Sequence, residues 1–151
     1  MVVATPTHSM DSESVEKTLL TILAEDPKAS VGKIAERAGV SRPTAQKYIK
    51  KLEDEGAIVG YSVELNPKKL DHQSIALVGI DVESERYVQI TNALRDIDAL
   101  VALYTATGDH MLMAKLQADS STAINEIISD EILSVEGVTA ACPTVLHERI
   151  D

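Results

Sequence analysis

Phenylalanine and tryptophan are absent from this 151-residue chain, and four tyrosines are its only aromatic residues. Any core is therefore built from Leu, Ile, Val, Ala and Met. The shortage of rings also speaks against RNA or single-strand recognition, in which bases stack on aromatic side chains. Cysteine occurs once, as Cys142, which excludes an intrachain disulfide or a cysteine-based zinc site within one chain and suits a reducing compartment. No run approaches the roughly 18 apolar residues of a membrane span, and the N-terminus lacks the basic and apolar regions of a signal peptide. A soluble, cytoplasmic protein is expected. His8, His72, His110 and His147 show no metal-ligand spacing, so they are read as surface or turn residues, with neither metal nor cofactor expected.

Positive charge is scarce too. The formal net charge is -10, which at first argues against a nucleic-acid partner, because phosphate neutralisation dominates that affinity. The deficit is uneven. Residues 1 to 66 hold eight Lys/Arg against ten Asp/Glu, whereas residues 67 to 151 hold six against fourteen. Charges more than about one Debye length away, roughly 8 Å at physiological salt, are largely screened. A local basic face can therefore decide the partner.

Such a face lies between Ser41 and Glu53. Ala45, Tyr48, Ile49 and Leu52 fall on one side of a helix of period 3.6, and Pro43, Gln46, Lys47, Lys50 and Lys51 on the other. Ser41 is a good N-cap, and Pro43 in the first turn sacrifices no helical hydrogen bond. A basic run alone is most simply a solvated helix. Here, however, Ser30 to Ala38 reads as a shorter capped helix ended by Gly39, with Val40 leading into the next cap. Two short helices with a tight glycine-containing turn and a small residue, Ala35, at their crossing make a helix-turn-helix. Double-stranded DNA is then the expected partner, met by Ser41, Arg42, Pro43, Thr44, Gln46, Lys47, Lys50 and Lys51. Gln46 suits adenine and Arg42 or Lys47 guanine, with Lys50 and Lys51 set against phosphate. Four cations in each of two subunits imply a slope of log K against log salt near about -7.

In chain order, residues 1–10 read as a flexible arm, with Met10 a possible second start. Residues 11–62 form the DNA-binding unit: a first helix through Val15, Leu19, Leu20, Ile22 and Leu23, the helix pair, and a wing of short β segments after Gly56. The expected core is Leu19, Leu20, Leu23, Ile34, Ala35, Val40, Ala45, Ile49 and Leu52. Residues 63–72, with Asn66-Pro67, are a linker. Residues 73–151 alternate strand and helix as βαββαβ. Strands are expected over 73–83, 99–107, 111–118 and 138–148, and helices over 84–98 and 120–134. Pro143 places the last strand at an edge. Two βαβ halves give a ferredoxin-like sheet with helices on one face. The fold class is α+β. The other sheet face carries too many apolar residues for water, and its expected cover is the same face of a second chain. Asp81, Glu83 and Glu85 read as a solvated strand end, and Met111 and Met113 as packing.

The run Leu52-Glu53-Asp54-Glu55-Gly56-Ala57-Ile58-Val59-Gly60-Tyr61, the Leu65-Asn66-Pro67 linker and Thr107-Gly108-Asp109 between the middle strands resemble the Lrp/AsnC family of feast/famine transcriptional regulators. The resemblance covers nearly all of the chain from Asp11. It implies a winged helix-turn-helix, a βαββαβ domain called RAM, dimers that assemble into tetramers or octamers, and an amino acid effector near the Gly-Asp turn. The positions it assigns to the effector are Thr107, Gly108, Asp109 and His110, although Gly-Asp is also an ordinary hairpin turn. Many members have a second acidic residue where this chain has Met111, which leaves Asp109 as the expected anionic partner of an ammonium group.

Two rival readings use the same plan. Sirohaem decarboxylases resemble it as well, but a tetrapyrrole site needs cationic and imidazole groups, and the C-terminal half offers only Arg86, Arg95, Lys115, His110 and His147. A sensor of amino acids without a DNA role would tolerate Lys47→Glu without loss of phenotype.

Overall fold

A computed structural model of the chain describes residues 11–69 and 73–151. The expected N-terminal arm, with His8, and His72 in the linker therefore lie outside the described residues. The chain divides into two compact units at Val63/Glu64.

The first unit contains three helices: α1 (Ser12–Glu25), α2 (Val31–Ala38) and α3 (Arg42–Asp54). Apolar residues three and four apart give each helix one buried stripe. Val15, Leu19, Ile22, Leu23, Ile34, Ala35, Ala38 and Ala45 form the core, with Tyr48, Ile49 and Val40 half-buried against it. Leu52 is buried as expected, while Leu20 is only half-buried. Gly39 ends α2 at φ 69°, a left-handed conformation that a Cβ would strain, and its N–H returns to the carbonyls of Ala35 and Glu36.

The wing differs from expectation. Glu55 and Gly56 close α3, and the Ile58 N–H bonds back to the Leu52 carbonyl at 3.0 Å. Beyond that, the described residues of this unit contain no strand. A β-ladder needs a second strand, and this single extended run finds none within its own unit. Val59, Tyr61 and Val63 are left exposed along it.

The second unit is a four-stranded antiparallel sheet in the order β2-β3-β1-β4, made of β1 (Ser74–Val82), β2 (Leu100–Thr105), β3 (Leu112–Ala118) and β4 (Val138–Leu146). Pro143 lies on β4, an edge strand, where its missing N–H costs no ladder bond. Helices α4 (Tyr87–Arg95) and α5 (Ser121–Ile127) cover one face. Ala76, Val78, Ile80 and Val82 of β1 meet Ile90, Leu94 and Ile124 there.

Both helices are less regular than the periodicity predicts. A 3-10 turn, Ser84–Arg86, precedes α4, and α5 passes into a π turn, Ile128–Ile132, in which Leu133 N–H reaches the Ile128 carbonyl at 2.9 Å. Isoleucines at 124, 128 and 132 would drift about 40° per step around an α-helix. The wider turn reduces that drift, and all three are buried.

Candidate DNA-recognition face and effector loop

The recognition face begins at a cap. The Ser41 hydroxyl oxygen accepts from Thr44 N–H at 3.3 Å and donates to the Thr44 hydroxyl at 2.7 Å, so both hydroxyls help to fix the first turn of α3. Arg42 and Pro43 occupy that turn, and Gln46, Lys47, Lys50 and Lys51 follow. Arg42, Pro43, Gln46, Lys47, Lys50 and Lys51 are exposed, whereas Thr44 is half-buried. The apolar side of α3, with Ala45 fully enclosed, faces α1 and α2.

The four cations are not equivalent. Lys50 Nζ lies 2.7 Å from Asp54 one turn on, and this carboxylate raises its pKa. Lys51 Nζ lies 2.6 Å from Glu16 on α1 and 3.8 Å from Glu55. The Glu16 carboxylate raises the Lys51 pKa, while Lys51 holds Glu16 below the usual carboxylate range. Arg42 and Lys47 make no ion pair among the described residues. Lys51 thus ties α3 to α1. The Lys50–Asp54 spacing is legible in the sequence as an i,i+4 pair, but Glu16 and Lys51 are 35 positions apart and only the fold joins them.

In the second unit, Thr107, Gly108, Asp109 and His110 fall together in the loop between β2 and β3. Ala106 N–H closes this loop on the Met111 carbonyl at 2.9 Å, and Gly108 turns it at φ 127°. Thr107, Gly108 and Asp109 are exposed, but His110 folds back on the sheet. Its Nδ1 lies 3.0 Å from Asp81 Oδ2, and Asp81 Oδ1 accepts from Met111 N–H at 3.2 Å. Asp81 is therefore part of the loop's anchorage and not merely a solvated strand end. The signal was weak in the sequence, because the register that brings Asp81 to this loop follows from the pairing of β1 with β3. Among the described residues, no group of three or more His, Cys, Asp or Glu is placed to hold a metal ion, and no helix is long and apolar enough to cross a membrane.

Comparison with known proteins agrees with this division. Residues 14–59 match the family model described as winged helix-turn-helix DNA-binding, and residues 75–147 match the Lrp/AsnC ligand binding domain. The HTH-type transcriptional regulator LrpA1 of Halobacterium salinarum is 54% identical over 141 residues, 93% of this chain and 99% of the relative. LrpA of Pyrococcus horikoshii is 33% identical, over 89% of this chain and 96% of its own. A Neisseria meningitidis transcriptional regulator solved as a complex with L-Met shares the fold at a TM-score of 0.68, with 19% identity, covering 91% of this chain and 90% of that one. With a winged helix-turn-helix ahead of a ligand-binding α+β domain, the chain belongs to the Lrp/AsnC family of DNA-binding transcriptional regulators.

Proposed function

We propose that this regulator lays α3 in the major groove of its operator and responds to an amino acid met by the loop after β2. The uncovered outer side of α3, bearing Arg42 and Lys47 free of ion pairs among the described residues, carries the reading. Arg42 or Lys47 suits guanine and Gln46 suits adenine, while Lys50 reaches phosphate after releasing Asp54. Ser41, Pro43 and Thr44 bring the N-terminal end of α3 to the backbone, where its free N–H groups favour an anion. Lys51 contributes by holding the helix in place, not by touching DNA.

The effector is an amino acid whose ammonium meets Asp109, with Thr107, Gly108 and His110 around it. That a regulator of this fold was solved with L-Met supports testing apolar amino acids first. A second copy covers the open sheet face, which carries Leu77 opposite polar Lys115, Tyr104 opposite Met113, and Leu146 opposite Ile75, and dimers then assemble into tetramers or octamers. The protein acts in the cytoplasm and is not an enzyme. Against the decarboxylase reading in particular, Arg86 is occupied by Glu83 and Glu136, and Lys115 lies 4.0 Å from Glu64, leaving little cationic surface for a tetrapyrrole. Sirohaem added to the pure protein is expected to show no absorbance change.

Selection of bound duplexes from a random pool, with and without each amino acid, tests the reading. Recovery of one two-fold site whose enrichment responds to an amino acid is expected. No enrichment above the starting pool would refute it.

A further inference from the structure

The open face of β1 carries Leu77, Gly79 and Asp81, on the side away from the helices. Gly79 is buried although it has no side chain, because the His110 ring occupies the space above it. A methyl group at Gly79 would overlap ring atoms Cδ2, Cγ and Nε2. The same ring is held from β1 by Asp81, whose two oxygens serve His110 Nδ1 and Met111 N–H. Two β1 positions on one face thus meet this loop, Asp81 binding residues 29 and 30 positions further along the chain.

This arrangement fixes which nitrogen of the neutral imidazole carries the proton. The His110 hydrogen bond and the Met111 N–H hold the Asp81 carboxyl below the usual carboxylate range, so it is ionised at neutral pH. An ionised carboxylate only accepts hydrogen bonds; Nδ1 must therefore carry the proton, and in the neutral ring Nε2 keeps its lone pair. Among the described residues no buried side-chain nitrogen or oxygen lacks a hydrogen bond. Nε2 has no protein partner there, so it retains access to solvent.

We propose that Asp81 and Gly79 are positioning residues for the effector loop: Asp81 sets the tautomer that makes His110 Nε2 a hydrogen-bond acceptor next to Asp109 in the chain, and Gly79 makes room for the ring. With the ring neutral, the loop offers an ammonium group a carboxylate and an imidazole nitrogen from consecutive residues. This inference rests on the effector reading of residues 107–110, and the experiment separates the two.

Full-length protein with 15N-labelled histidine rings is compared by NMR as wild type, Asp81→Ala and Asp81→Asn. The same three proteins are titrated calorimetrically with each of the common L-amino acids. His110 is expected in the Nδ1–H form in the wild type and to shift toward the Nε2–H form both in Asp81→Ala and in Asp81→Asn, whose one amide oxygen takes the Met111 N–H so that its NH2 faces Nδ1. The amino acid that binds the wild type most tightly should lose about tenfold in affinity in both Asp81→Ala and Asp81→Asn. DNA affinity without amino acid should not change. An identical tautomer ratio in wild type and Asp81→Ala overturns the positioning role. A changed tautomer with unchanged amino acid affinity overturns the role of Nε2 in recognition. If the wild type binds no amino acid, the effector reading falls, while the tautomer comparison still decides whether Asp81 positions the ring. Should Asp81→Ala fail to fold, Gly79→Ala, which displaces the ring from Asp81, supplies the same comparison.

Discussion

The two units leave opposite kinds of surface uncovered. In the helical unit the open side of α3 is polar and cationic, and its apolar residues are spent on a small core. In the sheet unit the helix-covered face is closed by isoleucine, leucine and valine, while the open face mixes apolar residues with Asp81, Lys115 and a folded-back His110. The first surface suits a polyanion and the second a copy of itself. A net charge of -10 conceals this contrast, because the acid that dominates it is concentrated in the sheet unit. What decides the partner is which charges remain unpaired at one face.

The sharpest break in the comparison comes from the cores. Among the described residues the helical core cluster has eight buried apolar residues, against thirteen in the sheet unit. Leu19 is 0% exposed at the centre of the smaller one. Leu19→Ala should cost about 3 kcal/mol. A small helical unit has little stability in reserve, so the variant should lose DNA binding while the sheet unit keeps its own unfolding transition. Denaturant titration followed by circular dichroism checks this. A single transition that moves as a whole would mean that the two units share their stability.

Next in size is the double change Arg42→Ala with Lys47→Ala. It should weaken binding to a selected duplex by about a hundredfold at physiological salt without altering the fold. Ion pairing also revises the salt dependence. With Lys51 engaged by Glu16, three cations per subunit remain at most, and the slope for a dimer should lie near about -5 instead of about -7. Anisotropy titrations over a salt series measure both. A slope near -7 would show that Lys51 leaves Glu16 for phosphate.

The helix-turn-helix was legible because its signals are local. Ser30, Gly39, Ser41 and Pro43 mark ends and turns, and the apolar spacing fixes which sides are buried. The βαββαβ order was legible from alternation, and the edge position of β4 from Pro143. Less was visible where meaning depends on a distant neighbour. Nothing in the sequence around residue 81 says that its carboxylate will meet residues 110 and 111, and nothing around Lys51 names Glu16. The β segments of the wing are not formed, because a β-prone run says nothing of whether a ladder partner exists.

Gly79→Ala sharpens the second half of the comparison. The added methyl group has no room beside the His110 ring, and overpacking of this kind typically costs about 1–3 kcal/mol. The ring is expected to leave Asp81 and the loop to loosen, which faster amide hydrogen exchange at Met111 would report. DNA affinity in the absence of an amino acid should stay the same, since α3 lies in the other unit. Unchanged exchange at Met111 would mean that the loop is held by its own turn, through Ala106 and Gly108, and not by β1.

The smallest effect concerns Glu16→Gln, which removes a charge from the helical unit without touching α3. Lys51 would keep its position on the α1 side of the recognition helix, with Glu55 as its remaining ionic partner, so the salt slope should change by less than about one unit. Stability should fall slightly at pH 7, with a definite pH dependence. Lys51 depresses the native pKa of Glu16, so the wild-type ion pair contributes fully above the unfolded value of about 4.3. That contribution is lost as the pH falls through the depressed native value, and wild type and variant should therefore converge in acid. Thermal melts at a series of pH values test this, and a gap that persists below both pKa values would show that Glu16 acts through packing. A slope that steepens by about two units instead would mean that Glu16 withholds a phosphate contact, making the helical unit's own acid a brake on its affinity for DNA.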